Sequence, residues 1–204
     1  MNRVIFFVDG FNLYHALRAD PRYSRYKWLD LDKLCRCFVT RKAQIEQIYY
    51  FTALAQWNPD KVRRHQIFIR ALLARGVQPV YGAFRVVDRQ CRATCGQWYK
   101  THEEKRTDVN IAIHLFRLAV QDRYDTAAVI SGDSDLIPAV EAVKATFPTK
   151  RVGIITPPGR RAEELRQVAD FHMKIKEHHL QSSLFPVELD LGNGQKIECP
   201  QAWR

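Results

Sequence analysis

Four aspartates stand where a protein of alternating strands and helices would gather carboxylates. Asp9 directly follows an apolar run, and Asp133 and Asp135 follow another in the order Ser-Gly-Asp-Ser-Asp. Asp108 begins a long helical pattern. Clustered carboxylates repel one another unless a cation joins them, and hard divalent cations prefer oxygen ligands. The spacing therefore predicts a site for Mg²⁺ or Mn²⁺.

Each aspartate taken singly also fits a structural role. Asp9, Asp133 and Asp135 are good N-cap or loop residues, and Asp108 suits the positive end of a helix dipole. Those separate roles do not explain why three acids follow two predicted strands. We therefore favour a shared site for the four aspartates over a separate structural role for each.

A carboxylate-held cation indicates phosphoryl chemistry. Such an ion lowers the pKa of a bound water, and it offsets charge on the transition state and on the leaving oxygen. No Ser–His or Cys–His nucleophile is needed for this reaction.

Apolar strands alternate with helical patterns along the chain, which predicts a three-layer α/β fold with a mainly parallel sheet. Strands are predicted over 4–8, 44–53, 77–87, 126–130 and 151–156, with a further strand over 171–175. Helices are predicted over 11–17, 30–38, 59–75, 107–124, 135–146 and 160–169. In open parallel sheets, ligands bind at the carboxyl ends of the strands, so the aspartates are expected on one edge.

Three further features complete the predicted architecture. Residues 88–104 have no clear period and are interpreted as an irregular loop, and 186–204 resemble a small β-hairpin. In the long helix, the spacing of five apolar residues predicts one buried face: Val109, Ala112, Ile113, Phe116 and Val120.

Composition and net charge limit the classes of partner that the protein is expected to have. The chain has 204 residues and a formal net charge of +10, which favours a polyanion such as RNA, although a solvated basic surface would have the same charge. No apolar run is long enough to span a membrane, and no signal-peptide pattern is present. Five unevenly spaced cysteines suit a reducing compartment, so we expect a cytoplasmic protein with no membrane partner.

Basic and aromatic residues are interleaved between the third strand and the long helix. Trp98 and Tyr99 lie among arginines and lysines there, a composition suited to single-stranded nucleic acid or, equally, to a solvated loop. Arg160 and Arg161 follow the fifth strand at the same predicted edge. The predicted substrate-binding residues are Arg89, Arg92, Lys105, Arg106, Ser131, Ser134, Arg160 and Arg161. The spacing of Cys91 and Cys95, with His102 nearby, also suggests a zinc site. Free thiols are the favoured interpretation, because no fourth ligand is evident.

Three signatures resemble those of NYN domains, which are PIN-like nucleases, and are most similar to the LabA/DUF88 branch. They are the segments 8–14 (VDGFNLY), 105–109 (KRTDV) and 130–136 (ISGDSDL). The resemblance covers roughly residues 3–175 and implies a Rossmann-like PIN fold, with 1–180 as the nuclease domain and 181–204 as an appendage. It also implies metal-dependent RNA cleavage, with Asp9, Asp108, Asp133 and Asp135 as metal ligands and Asn12 orienting the site. Between Lys105 and Asp108 this chain has Arg-Thr, where small residues such as Gly-Val are common in the family.

Two other functions remain open at this point. One is an RNA-binding module that keeps the fold with weak or no catalysis, against which the four intact aspartates argue. The other is a phosphohydrolase of small phosphate esters, against which the net charge argues because a small substrate needs no extended basic surface. A homodimer is considered beside a monomer.

Overall fold

The computed structural model describes residues 1–91, 95–192 and 194–204. Its main sheet contains six strands in the order β3-β2-β1-β6-β7-β8, and all neighbouring pairs are parallel. Two antiparallel pairs, β4–β5 and β9–β10, complete the strands. The strands are β1 (Asn2–Asp9), β2 (Ala43–Thr52), β3 (Val77–Tyr81), β4 (Ala83–Gln90), β5 (Trp98–Lys105), β6 (Thr126–Ile130), β7 (Arg151–Thr156), β8 (Phe171–Lys174), β9 (Glu188–Gly192) and β10 (Gln195–Glu198).

Helices cover both faces of the main sheet. They are α1 (Gly10–Ala19), α2 (Leu31–Arg36), α3 (Pro59–Leu73), α4 (Thr107–Val120), α5 (Ile137–Thr146), α6 (Glu163–Val168) and α7 (Glu177–Ser182). Short 3₁₀ turns occur at Ser24–Tyr26, Ser134–Leu136 and Gln201–Trp203. The predicted helix 160–169 therefore begins later than expected, and Arg160 and Arg161 precede it.

The central strand β1 shows why the sheet is buried on both sides. Phe6 points to the core shared with α1, α2 and α3, while Phe7 points to the core shared with α4, α5 and α6. Both side chains are fully buried. The predicted three-layer α/β fold with a parallel sheet and a C-terminal hairpin is confirmed. The connection order reverses between β1 and β6, and such a switch point opens a crevice at the carboxyl ends of the strands.

The region 77–104 differs from the prediction of one strand followed by a loop. The chain forms β3, turns at Gly82, and continues as β4, which pairs with β5 as an antiparallel hairpin outside the main sheet. Both strands of the hairpin are largely exposed, so no regular apolar alternation marks them in the sequence.

The buried face of α4 was predicted wrongly. Val109, Ile113 and Val120 are each more than half exposed, whereas Ile111 and Leu115 are buried against the sheet. Both sets recur at helical spacing, so the periodicity alone does not decide which of them faces the core.

The C-terminal hairpin packs on the same core as the main sheet. Phe185, Leu189 and Ile197 are buried in the cluster that contains Phe68 of α3. Within the described residues, no helix combines the length and the apolar character needed to cross a membrane.

Candidate active site

The ends of β1 and β6 bring Asp9 and the Ser131–Asp135 turn together. Val8 and Ile130 form the final pair of the parallel ladder between these strands, so the chains leave the sheet side by side. The buried Ser131 hydroxyl donates to Asp9 Oδ2 at 2.9 Å and accepts from the Asp133 backbone N–H at 3.1 Å. One hydroxyl thus fixes the spacing between two acidic residues.

The same acids hold the local backbone. Asp9 caps α1 by accepting at Oδ1 from the Asn12 N–H, at 2.9 Å, and Asp133 accepts from the Asp135 N–H at 3.1 Å. The Asn12 side-chain oxygen accepts from the Gly132 N–H at 3.0 Å. Asn12 therefore ties α1 to the turn after β6, which is an orienting position, and the structural roles of Asp9 and Asp133 coexist with their clustering.

Two more carboxylates approach this edge from β5 and α4. Asp108 lies in the first turn of α4, and the charges of Asp9, Asp133, Glu104 and Asp135 all act on it. The group at the edge is defined here as the acidic cluster: Asp9, Glu104, Asp108, Asp133 and Asp135.

Burial and like charge raise the pKa of two members of the acidic cluster. The pKa of Asp9 is raised to about 6, first by burial and then by the charges of Asp133 and Glu104, against two hydrogen bonds that favour its charged form. The pKa of Asp108 is also raised to about 6, first by burial and then by its acidic neighbours. Acids with raised pKa values in a cleft are typical of functional sites.

Glu104 was missed by the sequence analysis because it ends a segment interpreted as irregular. Its carboxylate accepts from the Thr107 backbone N–H at 3.0 Å and from the Thr107 hydroxyl, so it caps α4. A Cβ on Gly82 would lie 3.1 Å from Glu104 Oε1 and 2.8 Å from Thr107 Oγ1, so only glycine leaves room for this approach. No local signal marked it, because Glu104 lies two residues before the N-cap Arg106 and so falls outside the capping-box spacing.

The donor chemistry of the acidic cluster fits a hard divalent cation. All five side chains offer carboxylate oxygens, and each such oxygen retains a lone pair after accepting one hydrogen bond. Across residues 1–91, 95–192 and 194–204, no three His, Cys, Asp or Glu side chains adopt a metal-holding arrangement. In this conformation both oxygens of Asp9 accept protein hydrogen bonds.

The family model for the NYN domain matches residues 3–176. The chain belongs to the NYN domain family. NYN domains are PIN-like and are predicted nucleases, and the three signatures read from the sequence lie within the matched range.

Two further proteins are similar to this NYN domain protein. The 6-hydroxy-3-succinoylpyridine 3-monooxygenase HspA of Pseudomonas putida is 26% identical over 193 positions, which cover 76% of this chain and 59% of HspA. The chain thus spans less than two thirds of that relative. A crystal structure of a protein of unknown function from Vibrio parahaemolyticus has a TM-score of 0.59 at 20% identity, covering 90% of this chain and 96% of that one, and shows the fold alone.

The β4–β5 hairpin of the NYN domain places two of the predicted substrate-binding residues, Arg89 and Lys105, on the face opposite Glu104. Phe84 pairs with Glu104 across the ladder, and these partners share one face. Arg89 and Lys105 lie on the opposite face, where both form ion pairs with Glu103, so their charges are partly neutralised. Arg92 lies outside the described residues.

Arg106 is exposed at the N-cap of α4 and has a φ of 79°, in the left-handed region. This conformation favours glycine, which gives a physical reason for the small residues that the family resemblance places here. Its side chain stays a predicted substrate contact.

The remaining predicted contacts separate by burial. Arg160 packs beside the acidic turn, since a Cβ on Gly132 would lie 3.1 Å from the Arg160 Cβ. Arg161 and Ser134 are exposed near the same edge. Ser131 is fully buried, which corrects its predicted role, because a buried hydroxyl that already serves Asp9 and Asp133 positions carboxylates and does not contact RNA.

The cysteines next to the hairpin turn are free. Cys91 is half-buried and Cys95 is exposed. His102 stacks on Trp57, with 3.6 Å between ring centroids. The described part of the chain therefore offers no zinc site at these residues.

Proposed function

We propose that this NYN domain protein is a metal-dependent ribonuclease that hydrolyses phosphodiester bonds of single-stranded RNA, within the LabA/DUF88 branch. The observation that supports this function best is the acidic cluster at the switch point of the parallel sheet. Mg²⁺ or Mn²⁺ would be held by Asp9, Asp108, Asp133 and Asp135, with Glu104 as an added donor. When bound, the ion would lower the pKa of a water and stabilise charge on the scissile phosphate.

The residues of the chain itself prepare that site. Ser131 and Asn12 hold Asp9 and the turn after β6 in register, which keeps the carboxylates in place before substrate arrives. Arg160 and Arg161 follow β7 at the same edge and would contact phosphates. We assign Lys105, Arg106 and Ser134 to the outer rim of the RNA path.

The central test is Asp133→Asn, which removes one charge and keeps the oxygen that caps Asp135. We expect Mn²⁺-dependent cleavage of single-stranded RNA to be abolished while the circular dichroism spectrum and the melting temperature are retained. Glu141→Gln is the matched control, because Glu141 is exposed on α5 and forms no ion pair among the described residues. Unchanged cleavage by Asp133→Asn would refute the catalytic assignment.

A second test concerns Glu104, because its carboxylate also caps α4. In Glu104→Gln the amide oxygen still accepts from Thr107, so the helix start is kept and only the charge is lost. We expect cleavage to fall about 10- to 100-fold, as for residues that tune a metal site. A variant with wild-type activity would leave Glu104 as a helix cap alone.

Two alternatives from the sequence are distinguished by the same assays. Tight RNA binding without cleavage at any Mn²⁺ concentration would indicate an RNA-binding module. Hydrolysis of small phosphate esters in preference to RNA would indicate a phosphohydrolase.

A different second candidate comes from HspA, whose name describes oxygenation of a substituted pyridine. One observation favours a small aromatic substrate: an apolar cavity with basic residues in its lining lies beside β2. The test is incubation of the protein with 6-hydroxy-3-succinoylpyridine, oxygen, a flavin and NADH, followed by mass spectrometry. Because carbon 3 already carries the succinoyl group, oxygenation there would either insert one oxygen atom beside that carbon or replace the group by a hydroxyl. Either product would support this candidate, and unchanged substrate would reject it.

A further inference from the structure

A cavity of about 130 Å³ lies on the face of the sheet opposite α4, between α1, β2 and α3. Leu13 and Leu17 of α1, Tyr50 of β2 and Phe68 of α3 form much of its apolar wall. We name it the α1–α3 cavity. None of the five members of the acidic cluster lines it.

The size of the α1–α3 cavity matches one six-membered ring. Apolar protein cavities of about 150 Å³ accept benzene. Several aromatic side chains line the cavity. Besides Tyr50 and Phe68 they include Phe84 of the hairpin and Trp203 near the C-terminus. Such walls favour a planar, unsaturated ligand by stacking and edge contacts.

The charge of the lining selects an anionic ligand. Among the residues that the structure describes, the charged side chains of the lining are Lys27, Lys61 and Arg64, and none of the lining residues carries a carboxylate. In the described part of the chain, these three cations form no ion pair with an acidic side chain. An uncompensated basic lining attracts a phosphate or a carboxylate.

Polar atoms are also present in the lining. His65 Nε2 lies 3.2 Å from Thr52 Oγ1 and 3.4 Å from the Tyr50 hydroxyl. Burial lowers the pKa of His65 to about 4, so its imidazole is neutral at neutral pH and takes part in hydrogen bonds without adding charge. The lining thus offers hydrogen bonds beside apolar walls, which is the composition of small-ligand sites.

The cavity adjoins the acidic cluster through the chain itself. Gly10 and Phe11, which line the cavity, directly follow Asp9. Phe11 also packs edge-on against Phe84, with 5.5 Å between ring centroids. A ring held in the cavity would therefore lie beside the backbone that positions Asp9.

We propose that the α1–α3 cavity holds one unstacked pyrimidine base of the RNA strand, with the adjoining phosphate at Lys61 and Arg64. This assignment rests on the proposed ribonuclease function and adds a base preference to it. A pyrimidine is a single six-membered ring with polar edges, and its nucleotide carries the negative charge that the lining selects. A purine has a second fused ring, which fits a volume of about 130 Å³ less well than a single ring.

The binding test uses uridine 5′-monophosphate as the probe, measured by calorimetry with the full chain. We expect Ala55→Leu to weaken its binding at least about tenfold, which is about 1.4 kcal/mol, because Ala55 lines the cavity. Ala74→Leu is the matched control, since Ala74 is exposed at the end of α3 and should bind as wild type. Failure of the wild type to bind the nucleotide, or equal binding by both variants, would overturn the proposal.

Two further probes check the ligand class. Adenosine 5′-monophosphate should bind at least about tenfold more weakly than the uridine nucleotide. Nicotinate, a free aromatic carboxylate, should also bind more weakly. Equal or tighter binding of either probe would overturn the assignment to a pyrimidine.

The contribution of the basic lining is tested with neighbouring residues of α3. Arg64→Ala should weaken uridine monophosphate binding, whereas Arg63→Ala removes the same charge outside the cavity and should not. An equal loss in both variants would show that net charge alone attracts the nucleotide and would overturn the cavity contact.

Cleavage assays keep this proposal separate from the ribonuclease function. Ala55→Leu should reduce cleavage of uridine-rich RNA more than of adenosine-rich RNA. Cleavage without pyrimidine preference would reject the cavity proposal and leave the nuclease intact. Nucleotide binding without any cleavage would reject the nuclease and leave the cavity as a nucleotide site.

Discussion

At the scale of single residues, the carboxylates of the acidic cluster are proposed to hold a metal ion, but their mutual repulsion destabilises the metal-free fold. Asp108 is half-buried among like charges, and its pKa is raised to about 6. The unfolded chain titrates near pH 4 at this group, so between about pH 4 and about pH 6 the folded state holds more protons than the unfolded state. The free energy of unfolding must fall as pH rises through that window.

Asp108→Asn removes this unfavourable charge and should stabilise the metal-free protein at pH 7.5 by about 1 kcal/mol, after allowance for solvent screening. The advantage should vanish below about pH 4, where Asp108 is neutral. Denaturant unfolding in EDTA at both pH values measures the difference in the free energy of unfolding between the variant and the wild type. Added Mn²⁺ should reduce that difference by stabilising the wild type. A variant less stable than wild type at pH 7.5 would contradict the assignment of repulsion at this residue.

Arg106 gives a second prediction at this scale, because its backbone is left-handed at φ 79°. Arg106→Gly should raise the free energy of unfolding by about 0.5 to 1 kcal/mol. This is the steric energy relieved in the folded state minus the entropic cost of the greater freedom of glycine in the unfolded chain. The same variant should bind RNA more weakly if the side chain contacts phosphate. Arg106→Ala is the control, since it removes the charge without relieving the backbone.

At the scale of elements, the β4–β5 hairpin decides which basic residues are available to RNA. Arg89 is paired with Glu103, whereas Lys100 forms no ion pair among the described residues. Lys100 also shares its hairpin face with Glu104, and Trp98 on that face is 69% exposed and free to stack on a base.

We therefore expect Lys100→Ala to lower the slope of log affinity against log salt by about 0.7, the value for one phosphate contact to a single strand. Arg89→Ala should change that slope much less. Filter binding of single-stranded RNA across a salt series compares these two single-charge variants. An equal fall in both slopes would mean that Arg89 leaves Glu103 when RNA binds.

At the scale of the whole molecule, the C-terminal segment packs into the core beneath the main sheet. Phe185, Leu189 and Ile197 are each at most 6% exposed. Burying a large apolar side chain contributes about 1.5 to 3 kcal/mol, so three of them amount to several kcal/mol. That sum is comparable with the total stability of about 5 to 15 kcal/mol of an ordinary domain.

A chain that ends at residue 180 should accordingly melt at a much lower temperature than the full chain, or fail to fold. Leu189→Ala in the full chain should be destabilising by about 2 to 5 kcal/mol. Val187→Ala, at a position that is 58% exposed, should be nearly neutral. An unchanged melting temperature for residues 1–180 would make the last residues a separate appendage.

Several features of this protein could be predicted because local sequence patterns encode them. The uninterrupted apolar strands, the helices between them and the residues that follow each strand predicted the parallel sheet and the common edge of Asp9, Asp133 and Asp135. These predictions hold because a strand buried on both faces needs apolar residues throughout, and because parallel strands end on the same side.

Which of several equivalent surfaces come into contact depends on long-range packing, which no local sequence pattern contains. Val109 and Ile111 lie in two apolar rows with the same helical period, and packing on the sheet selected the second. The exposed β4–β5 hairpin lacks an apolar signal, so its pairing alone brought Glu104 to the acidic cluster and Arg89 to Glu103. The α1–α3 cavity is likewise lined by residues from distant segments of the chain, so no local sequence pattern could predict it.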